Sequence, residues 1–354
     1  MSKRWVRPAG AAAALAVLLA AGGLWLYQRG RAAKPTVQKT QSVLVADFAN
    51  KAGDPVFDGT LEPAFTIALE GASFVSSYNR SAAHKVAAQL SAGATGLDQT
   101  LARLVAVREG INVVTSGAIE KTADGYEVSV RAIDAGTGKT IVEDREKASG
   151  KEAVLASVTR LAAQVRRALG DATPQSTQLA AAETYTAGSL EAAHEYAVAQ
   201  ELQWEGNWEE AIRHYQKALD LDPNLGRAYA GLAAVENNRG RRADSEKYYK
   251  QALARIDRMS DREKFRTRGG YYLLTRNADN AIDEFTALVK QYPADTAGIG
   301  NLAFAYFVKR DMWKVRCWFV RFWSVTTKAR WSVEERGLTF CGELTSSPCV
   351  MRLL

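Results

Sequence analysis

Three segments of the chain decide its fold: AIRHYQKALDLDP at 211–223, SEKYYKQALARID at 245–257 and AIDEFTALVKQYP at 281–293. A small residue opens each segment, an aromatic residue follows four positions later, and a second apolar or small residue stands three positions beyond it. The interval between segments is the same each time, apart from a two-residue insertion before the third. A period of roughly 34 residues is typical of stacked helix pairs, in which small residues allow two helices to approach closely.

This spacing resembles the second helix and its terminator in tetratricopeptide repeats. The resemblance covers 188–310, with Gly206 and Gly240 in the predicted turns between helices, separated by the same period. It implies an all-α tetratricopeptide-repeat solenoid, and a fourth repeat begins at Thr296. A generic array of helical hairpins is the alternative.

An α/β mixed-sheet domain is predicted ahead of the repeats, over 42–170, and 171–187 are predicted to link the two parts. Short apolar runs alternate with helical patterns at first, and three consecutive strands separated by turns follow, so we expect helices packed on a mixed sheet. One helix is expected to be capped by Thr60, with Pro63 in its first turn. Another is expected to place Leu101, Leu104 and Val105 on one face. The predicted strands are 42–48, 74–78, 111–120, 126–132 and 140–146, and the predicted helices are 60–69, 80–90, 98–109 and 151–169.

Two short motifs imitate nucleotide-binding sites. The stretch 136–140 (GTGKT) resembles the end of a phosphate-binding loop, but Ile133 stands where a glycine is required, and the stretch lies between two predicted strands. Asp47-Phe48-Ala49 resembles the kinase Asp-Phe-Gly motif without the other kinase motifs. We therefore expect no nucleotide and no cofactor.

Charge is distributed unevenly along the chain. Residues 1–46 contain seven of the 46 basic residues and no acidic residue, which leaves 39 basic against 39 acidic residues in the body. A neutral body argues against nucleic-acid binding. No cysteine precedes Cys317, which excludes a disulfide framework and a cysteine-ligated metal site from the main body.

The amino-terminal segment is predicted to be a transmembrane helix. Residues 8–28 are uncharged over 21 positions, about the length that crosses the hydrocarbon core. We expect 1–7 to be a cytoplasmic stub, 8–28 the span and 29–41 a linker. A cleaved signal peptide is the alternative.

The last segment, 311–354, differs from the rest in composition. It holds four of the eight tryptophans and all three cysteines. We expect no helical or strand period in it, and we interpret it as an aberrant tail produced by a frameshift.

The stretch 43–61 (VLVADFANKAGDPVFDGTL) resembles a segment of the extracytoplasmic regions of bacterial transmembrane serine/threonine kinases and related regulators. In that family one membrane span precedes an α/β domain like the TolB amino-terminal domain, and tetratricopeptide repeats follow. The resemblance implies a single-pass inner-membrane protein with its body in the periplasm. Only seven residues precede the span here, and no position matches the catalytic residues of a kinase.

The expected function is therefore a membrane-anchored, extracytoplasmic protein-interaction module, and the alternative is the sensor fragment of a split or degraded kinase signalling protein. We expect no catalytic and no metal site, because the only histidines are His84, His194 and His214, two of them on predicted repeat helices. In tetratricopeptide arrays the first helix of each pair lines the inner groove, so a protein or peptide partner is expected to bind there. The candidate residues are Glu195, Leu202, Tyr229, Glu236, Phe265 and Tyr272.

Overall fold

A computed structural model of the chain describes residues 40–91, 93, 96–179 and 187–327, without the side chains of 323–327. The chain divides into two units, 1–39 and 40–354. The predicted cytoplasmic stub and membrane span, and most of the first linker, lie outside the described residues. Within the described ranges, no helix is both long and apolar enough to cross a membrane.

A mixed sheet forms the centre of the α/β part. Strand β1 lies parallel to β3 on one side and to β4 on the other, and β4, β5 and β6 continue as an antiparallel meander. The short strand β2 pairs with β4 farther along. The strands are β1 (Gln41–Val45), β2 (Ala49–Asn50), β3 (Val75–Ser77), β4 (Val113–Thr122), β5 (Gly125–Asp134) and β6 (Thr140–Ala148).

Helices pack on this sheet, as predicted, and they cover both of its faces. Two of them, α1 (Leu61–Leu69) and α4 (Lys151–Ala168), pack on one face around the buried rings of Phe57 and Phe65. The other two, α2 (Arg80–Leu90) and α3 (Gln99–Glu109), pack on the opposite face. The helix between β1 and β3 therefore lies on the opposite face of the sheet from the two helices between β3 and β4.

Two details of the α/β part differ from the prediction. Leu104 is 56% exposed, because α3 approaches the sheet through the small residues Ala102 and Ala106 and this orientation leaves Leu104 in solvent. Thr60 occupies the cap position of α1 but its side chain does not cap the helix; its hydroxyl donates to the carbonyl oxygen of Val56 instead.

The predicted linker 171–187 is folded onto α4 where it is described. The Arg166 guanidinium contacts the Asp171 carboxylate at 2.6 Å, and both side chains are 7% exposed. The Gln178 amide donates to the Thr173 carbonyl oxygen at 2.8 Å and is also buried. A buried ion pair is stable only when its two groups are in close contact. The Arg166–Asp171 pair therefore holds 171–179 on the α/β domain, and this segment forms part of the domain surface.

Helix pairs follow, as the repeat period predicted. Small and aromatic residues of the three quoted segments lie between helices: Ala211, Tyr215, Ala281 and Phe285 are fully buried. Helices α9 and α10 approach each other closely at Gly269, which leaves no space for a side chain there. A Cβ atom on Gly269 would lie 2.5 Å from Cζ of Phe285. The helices are α5 (Leu190–Glu205), α6 (Trp208–Leu221), α7 (Gly226–Asn238), α8 (Arg242–Leu253), α9 (Asp261–Leu274), α10 (Ala278–Gln291), α11 (Thr296–Val308) and α12 (Met312–Thr327).

The last of these helices corrects the prediction for the tail. We expected no period beyond 311, but α12 completes a fourth pair with α11. Val315, Trp318 and Phe322 recur at helical spacing, and the last two pack against the core of the α10–α11 region. Residues 328–354 lie outside the described part, and the frameshift stays a prediction.

Candidate protein-interaction surface

The α/β domain packs against the beginning of the helical array. The Thr60 hydroxyl lies 2.7 Å from Nδ1 of His194 on α5. Farther along the same helix, Glu201 pairs with Arg80 of α2 at 3.4 Å. Helix α5 is therefore covered on the side where a preceding repeat would stand.

Arg262, at the start of α9, connects the α/β domain to the third helix pair as well. Its guanidinium donates to the backbone carbonyl oxygens of Ala72 at 3.2 Å and Val75 at 3.3 Å, and it lies 3.5 Å from the Glu70 carboxylate. The Arg262 side chain is only 4% exposed. A charge this deeply buried is stable only with such partners, so the third helix pair is tied directly to the α/β domain.

Array residues support Arg262 from the opposite side. Asp295, which is completely buried, lies 3.7 Å from Nε of Arg262 and 2.6 Å from Arg266. The ring of Tyr292 stacks on the guanidinium, with 4.5 Å between Cζ and the ring centroid. The Asp295 carboxylate and the Tyr292 ring therefore hold the Arg262 guanidinium on the array side. This arrangement keeps the guanidinium directed toward the α/β domain.

A polar cluster stands behind the contact, at the carboxyl end of β1. The Asp47 carboxylate accepts from Arg80 at 2.8 Å and from the Leu97 backbone N–H at 2.7 Å, and it lies 3.1 Å from Nε2 of His84. Burial acts to raise the pKa of Asp47, but the hydrogen bond with His84 and the charge of Arg80 outweigh it and lower that pKa to about 2. Asp47 is therefore ionised at neutral pH.

Glu62 has the opposite electrostatic environment in the same cluster. Its carboxylate accepts from the backbone N–H of Phe48 at 2.7 Å and is almost fully buried. Burial raises the pKa of Glu62, and the nearby positive charge of Arg80 offsets this only in part.

The part of the interface between α1 and the array leaves little free space. A cavity of about 40 Å³ lies there, lined by α1 and by Tyr196, Leu225 and Arg227 of the array. This space holds only a few water molecules and no larger ligand. The domain thus contacts α5 through His194 and Glu201, and it contacts the first turn of α9 through Arg262.

We define the inner face of the array as six residues that share two register positions on α7, α9 and α11, each first helix of its pair. Its aromatic members, Phe304 and Phe307, are 52% exposed and stack on each other with ring centroids 6.1 Å apart. Exposed, stacked phenylalanines offer an apolar contact surface for a partner. The six residues are Ala234, Asn237, Gly270, Leu273, Phe304 and Phe307.

Comparison with known families and structures bears on this array. A family model described as a TPR repeat matches residues 205–236, which include α6 and most of α7. This stretch is similar to a tetratricopeptide repeat. No curated protein matches the chain.

Two solved structures are similar to parts of the chain at 17% identity. TolB from Acinetobacter baumannii matches over 37% of this chain and 27% of its own, with a TM-score of 0.24. YrrB, described as a TPR protein with an unusual peptide-binding site, matches over 43% of this chain and 92% of its own, with a TM-score of 0.19. Both TM-scores are below 0.5. The chain spans about a quarter of TolB, and the TolB-like and kinase-associated interpretations stay predictions.

The six residues predicted for partner binding lie on first helices of the helix pairs, but at other register positions than the inner face. In the first pair, Glu195 lies 2.5 Å from Nδ1 of His214 on the second helix, and Leu202 packs against the buried cluster that contains Tyr215. In the second pair, Tyr229 is stacked by Arg255, with 4.6 Å between the guanidinium carbon and the ring centroid. These side chains are engaged within their own pairs.

The other three predicted residues are also engaged inside the array. Glu236 is 5% exposed and pairs with Arg239 at 3.5 Å. Phe265 and Tyr272 pack partly buried against the core of the last two pairs, as Leu273 of the inner face does. The structure thus brings none of the six together as one open surface, and as a binding set they stay a prediction.

A signal for the inner face was present in the sequence. Phe304 and Phe307 lie one repeat period after Gly270 and Leu273, so the same period that located the helices also relates these positions. The missing information was the direction of the first helices. One residue corresponds to about 100° of rotation around a helix, and the period alone does not determine which side is buried.

Nothing in the described ranges assembles a metal site: no group of three or more histidine, cysteine, aspartate or glutamate residues could hold an ion there. The histidines contact Asp47, Thr60 and Glu195 respectively. The expectation that the chain is not an enzyme stays a prediction.

Proposed function

We propose that this chain is a membrane-anchored protein-interaction module that binds an extended segment of a partner protein on the inner face of its tetratricopeptide array. The exposed, stacked pair Phe304–Phe307 supports this proposal most directly. Solenoids use their concave surface for extended partners, and buried aromatic anchors dominate the affinity of many protein interfaces.

The chemistry of the inner face indicates the kind of segment that fits. Its six residues carry no charge, and at the open end two phenylalanine rings replace the small Gly270 and the half-buried Leu273 of the preceding pair. Asn237, which is exposed, offers an amide that can donate to and accept from a peptide backbone. We infer a partner segment with an apolar side chain that packs on the phenylalanine pair.

The membrane anchor in this proposal rests on the sequence of 8–28 and on the resemblance described above. The body is placed in the periplasm, with 1–7 in the cytoplasm. Protease added to spheroplasts should digest the repeats. Protected repeats would contradict this orientation, and a mature protein that begins near Gly22 would contradict the anchor.

Photocrosslinking in the native membrane tests the binding surface. A photoreactive amino acid replaces Phe304 or Phe307 in turn, and the trapped protein is identified by mass spectrometry. The same probe at Leu104, which is 56% exposed on α3, serves as the matched control. We expect one protein to be trapped from both inner-face positions and not from the control.

The same experiment separates the inner face from the set predicted from sequence. Probes at Tyr229 and Tyr272 should trap the partner much less, because both rings are half-buried within their pairs. Efficient capture at these positions, without capture at Phe304 and Phe307, would move the binding site to the predicted set. Capture only at Leu104 would place it on the α/β domain.

A further inference from the structure

Two large apolar side chains of α12 stand at register positions that are exposed in the other second helices. Trp313 is 47% exposed and Val320 is 43% exposed. In α6, α8 and α10 the same two positions hold small, polar or charged residues, all of them exposed. These residues are Glu209, Ala243 and Asp279 at the position of Trp313, and Gln216, Lys250 and Thr286 at the position of Val320. The packing of one repeat on the next therefore does not account for Trp313 and Val320.

Two further side chains extend this apolar surface along the helix. Met312 is 54% exposed and Phe319 is 59% exposed. Residues seven positions apart lie on the same side of a helix, two turns from each other, so these two side chains lie beside Trp313 and Val320. We define the apolar face of α12 as Met312, Trp313, Phe319 and Val320. Contiguous exposed apolar surface of this kind marks a contact with a protein or with a membrane.

A positive charge lies within the apolar face. Arg316 stands three or four positions from each of the four apolar residues, so its side chain leaves the helix among them. It is exposed, and no described residue forms an ion pair with it. The two neighbouring cations are already engaged, because Lys314 lies 3.8 Å from Asp311 and the Arg321 guanidinium lies over the Trp318 ring. Arg316 is therefore the cation that an occupant of this face would meet.

The position of Arg316 favours a lipid surface as the occupant. A protein helix packed on the apolar face would bury this charge among apolar side chains, which is costly without a partner. At a membrane interface, the aliphatic part of an arginine stays in the apolar layer while its guanidinium reaches the lipid phosphates, and tryptophan is enriched at this depth. An apolar face with tryptophan and phenylalanine beside basic residues is typical of helices that lie in the interface.

Net charge favours an anionic lipid over a second copy of the chain. Residues 311–322 contain three basic residues and one acidic residue, which gives this segment a net charge of +2. A second copy of α12 on the same face would bring like charge to it, whereas the surface potential of an anionic bilayer attracts it.

We propose that α12 lies on an anionic lipid surface, with its apolar face in the interfacial layer and Arg316 on a lipid phosphate. The proposed anchor at 8–28 would hold α12 near a membrane and raise its effective concentration there. The affinity of the face itself rests on α12 alone. This inference is also independent of what binds on the inner face.

A fluorophore at position 320 of the full chain tests the proposal in reconstituted vesicles. Serine replaces the three native cysteines, and Val320→Cys carries the label. Gln216→Cys, at the equivalent exposed position of α6, is the matched control. The vesicles contain phosphatidylcholine, phosphatidylglycerol and a lipid with a nitroxide on its acyl chain, which quenches a probe only within the bilayer. We expect quenching at 320 and none at 216, and we expect the quenching at 320 to be lost in phosphatidylcholine alone.

Two substitutions test the apolar face and its cation separately. Trp313→Glu gives α12 the residue that α6 carries at this position, so the fold should be retained while quenching at 320 is lost. Arg316→Gln should lower the ratio of inserted to free α12 by about fivefold, the effect of one basic side chain at an anionic surface.

Three outcomes would overturn the proposal. The first is equal quenching at 320 and 216, and the second is quenching at 320 that does not require phosphatidylglycerol. The third is a probe at 320 that is shielded from water without nitroxide quenching, increasingly so at high protein-to-lipid ratio, which would show that a second copy covers the face. Alkaline extraction of the vesicles reports on the anchor separately. Extracted protein would contradict the span at 8–28, whereas embedded protein with an unquenched probe would contradict only the α12 contact.

Discussion

At the residue scale, Asp47 and Glu62 give the folded state opposite responses to pH. Both carboxylates lie in the cluster around Arg80, but Asp47 is surrounded by hydrogen-bond donors, whereas Glu62 is desolvated. The folded pKa of Asp47 is about 2, below its ordinary value of 3.8, so its contribution is present above pH 3.8 and is lost as the pH falls toward 2. We expect Asp47→Asn to lower the free energy of unfolding at pH 7 by roughly 2 kcal/mol.

The folded pKa of Glu62 is raised from its ordinary value of 4.5, so the sign is reversed. Stability associated with the protonated carboxyl is complete below pH 4.5 and falls as the pH rises through the folded pKa. Glu62→Gln keeps an acceptor for the Phe48 N–H and removes the titration. The variant should therefore gain stability relative to the wild type as the pH rises above 4.5, as measured by urea unfolding at several pH values. A constant difference between the two proteins across that range would contradict the assignment.

At the element scale, two glycines on first helices are expected to respond differently to alanine. A Cβ atom at Gly269 would lie 2.5 Å from the fully buried Phe285 ring, so Gly269→Ala should destabilise the chain by about 1–3 kcal/mol. At Gly300 the nearest atom is 3.5 Å away, on Phe322, so Gly300→Ala should stabilise α11 by about 0.5–1 kcal/mol. Thermal unfolding of both variants measures the difference, and an equal shift in both would show that close helix approach is not the cause.

The same scale shows what the sequence could predict. The small and aromatic residues of 211–223 repeat at a fixed interval, and this is sufficient to locate helix pairs because their packing is local. The direction of each first helix depends on contacts between elements, so the period alone does not distinguish Glu195 and Phe265 from the positions that form the inner face. Nothing in the sequence pattern indicated that Arg262 contacts the α/β domain. A charged residue at the start of a helix is usually solvated, and its partners lie far away in the sequence.

At the scale of the whole molecule, the Arg262 contact should make unfolding cooperative. Arrays of repeats contact only their neighbours and can unfold in parts, but Arg262 joins the third pair directly to the α/β domain. We expect Arg262→Gln to cost about 3–5 kcal/mol and to separate the unfolding of the two parts in calorimetry. Arg239→Gln, which removes ion pairs to Glu209 and Glu236 inside the array, is the matched control and should retain one transition. Two transitions in the wild type would contradict this interpretation.

The Arg262 contact also has a consequence during synthesis. Its hydrogen bond to Ala72 spans 190 positions of the chain. At the usual rate of translation, about 5–20 residues per second, the α/β domain waits roughly 10–40 seconds for this arginine to emerge from the ribosome. During that interval the carbonyl groups of Ala72 and Val75 have no guanidinium to accept from. A nascent chain stalled before codon 262 should therefore present this edge of the domain to chaperones, and one stalled well beyond it should not.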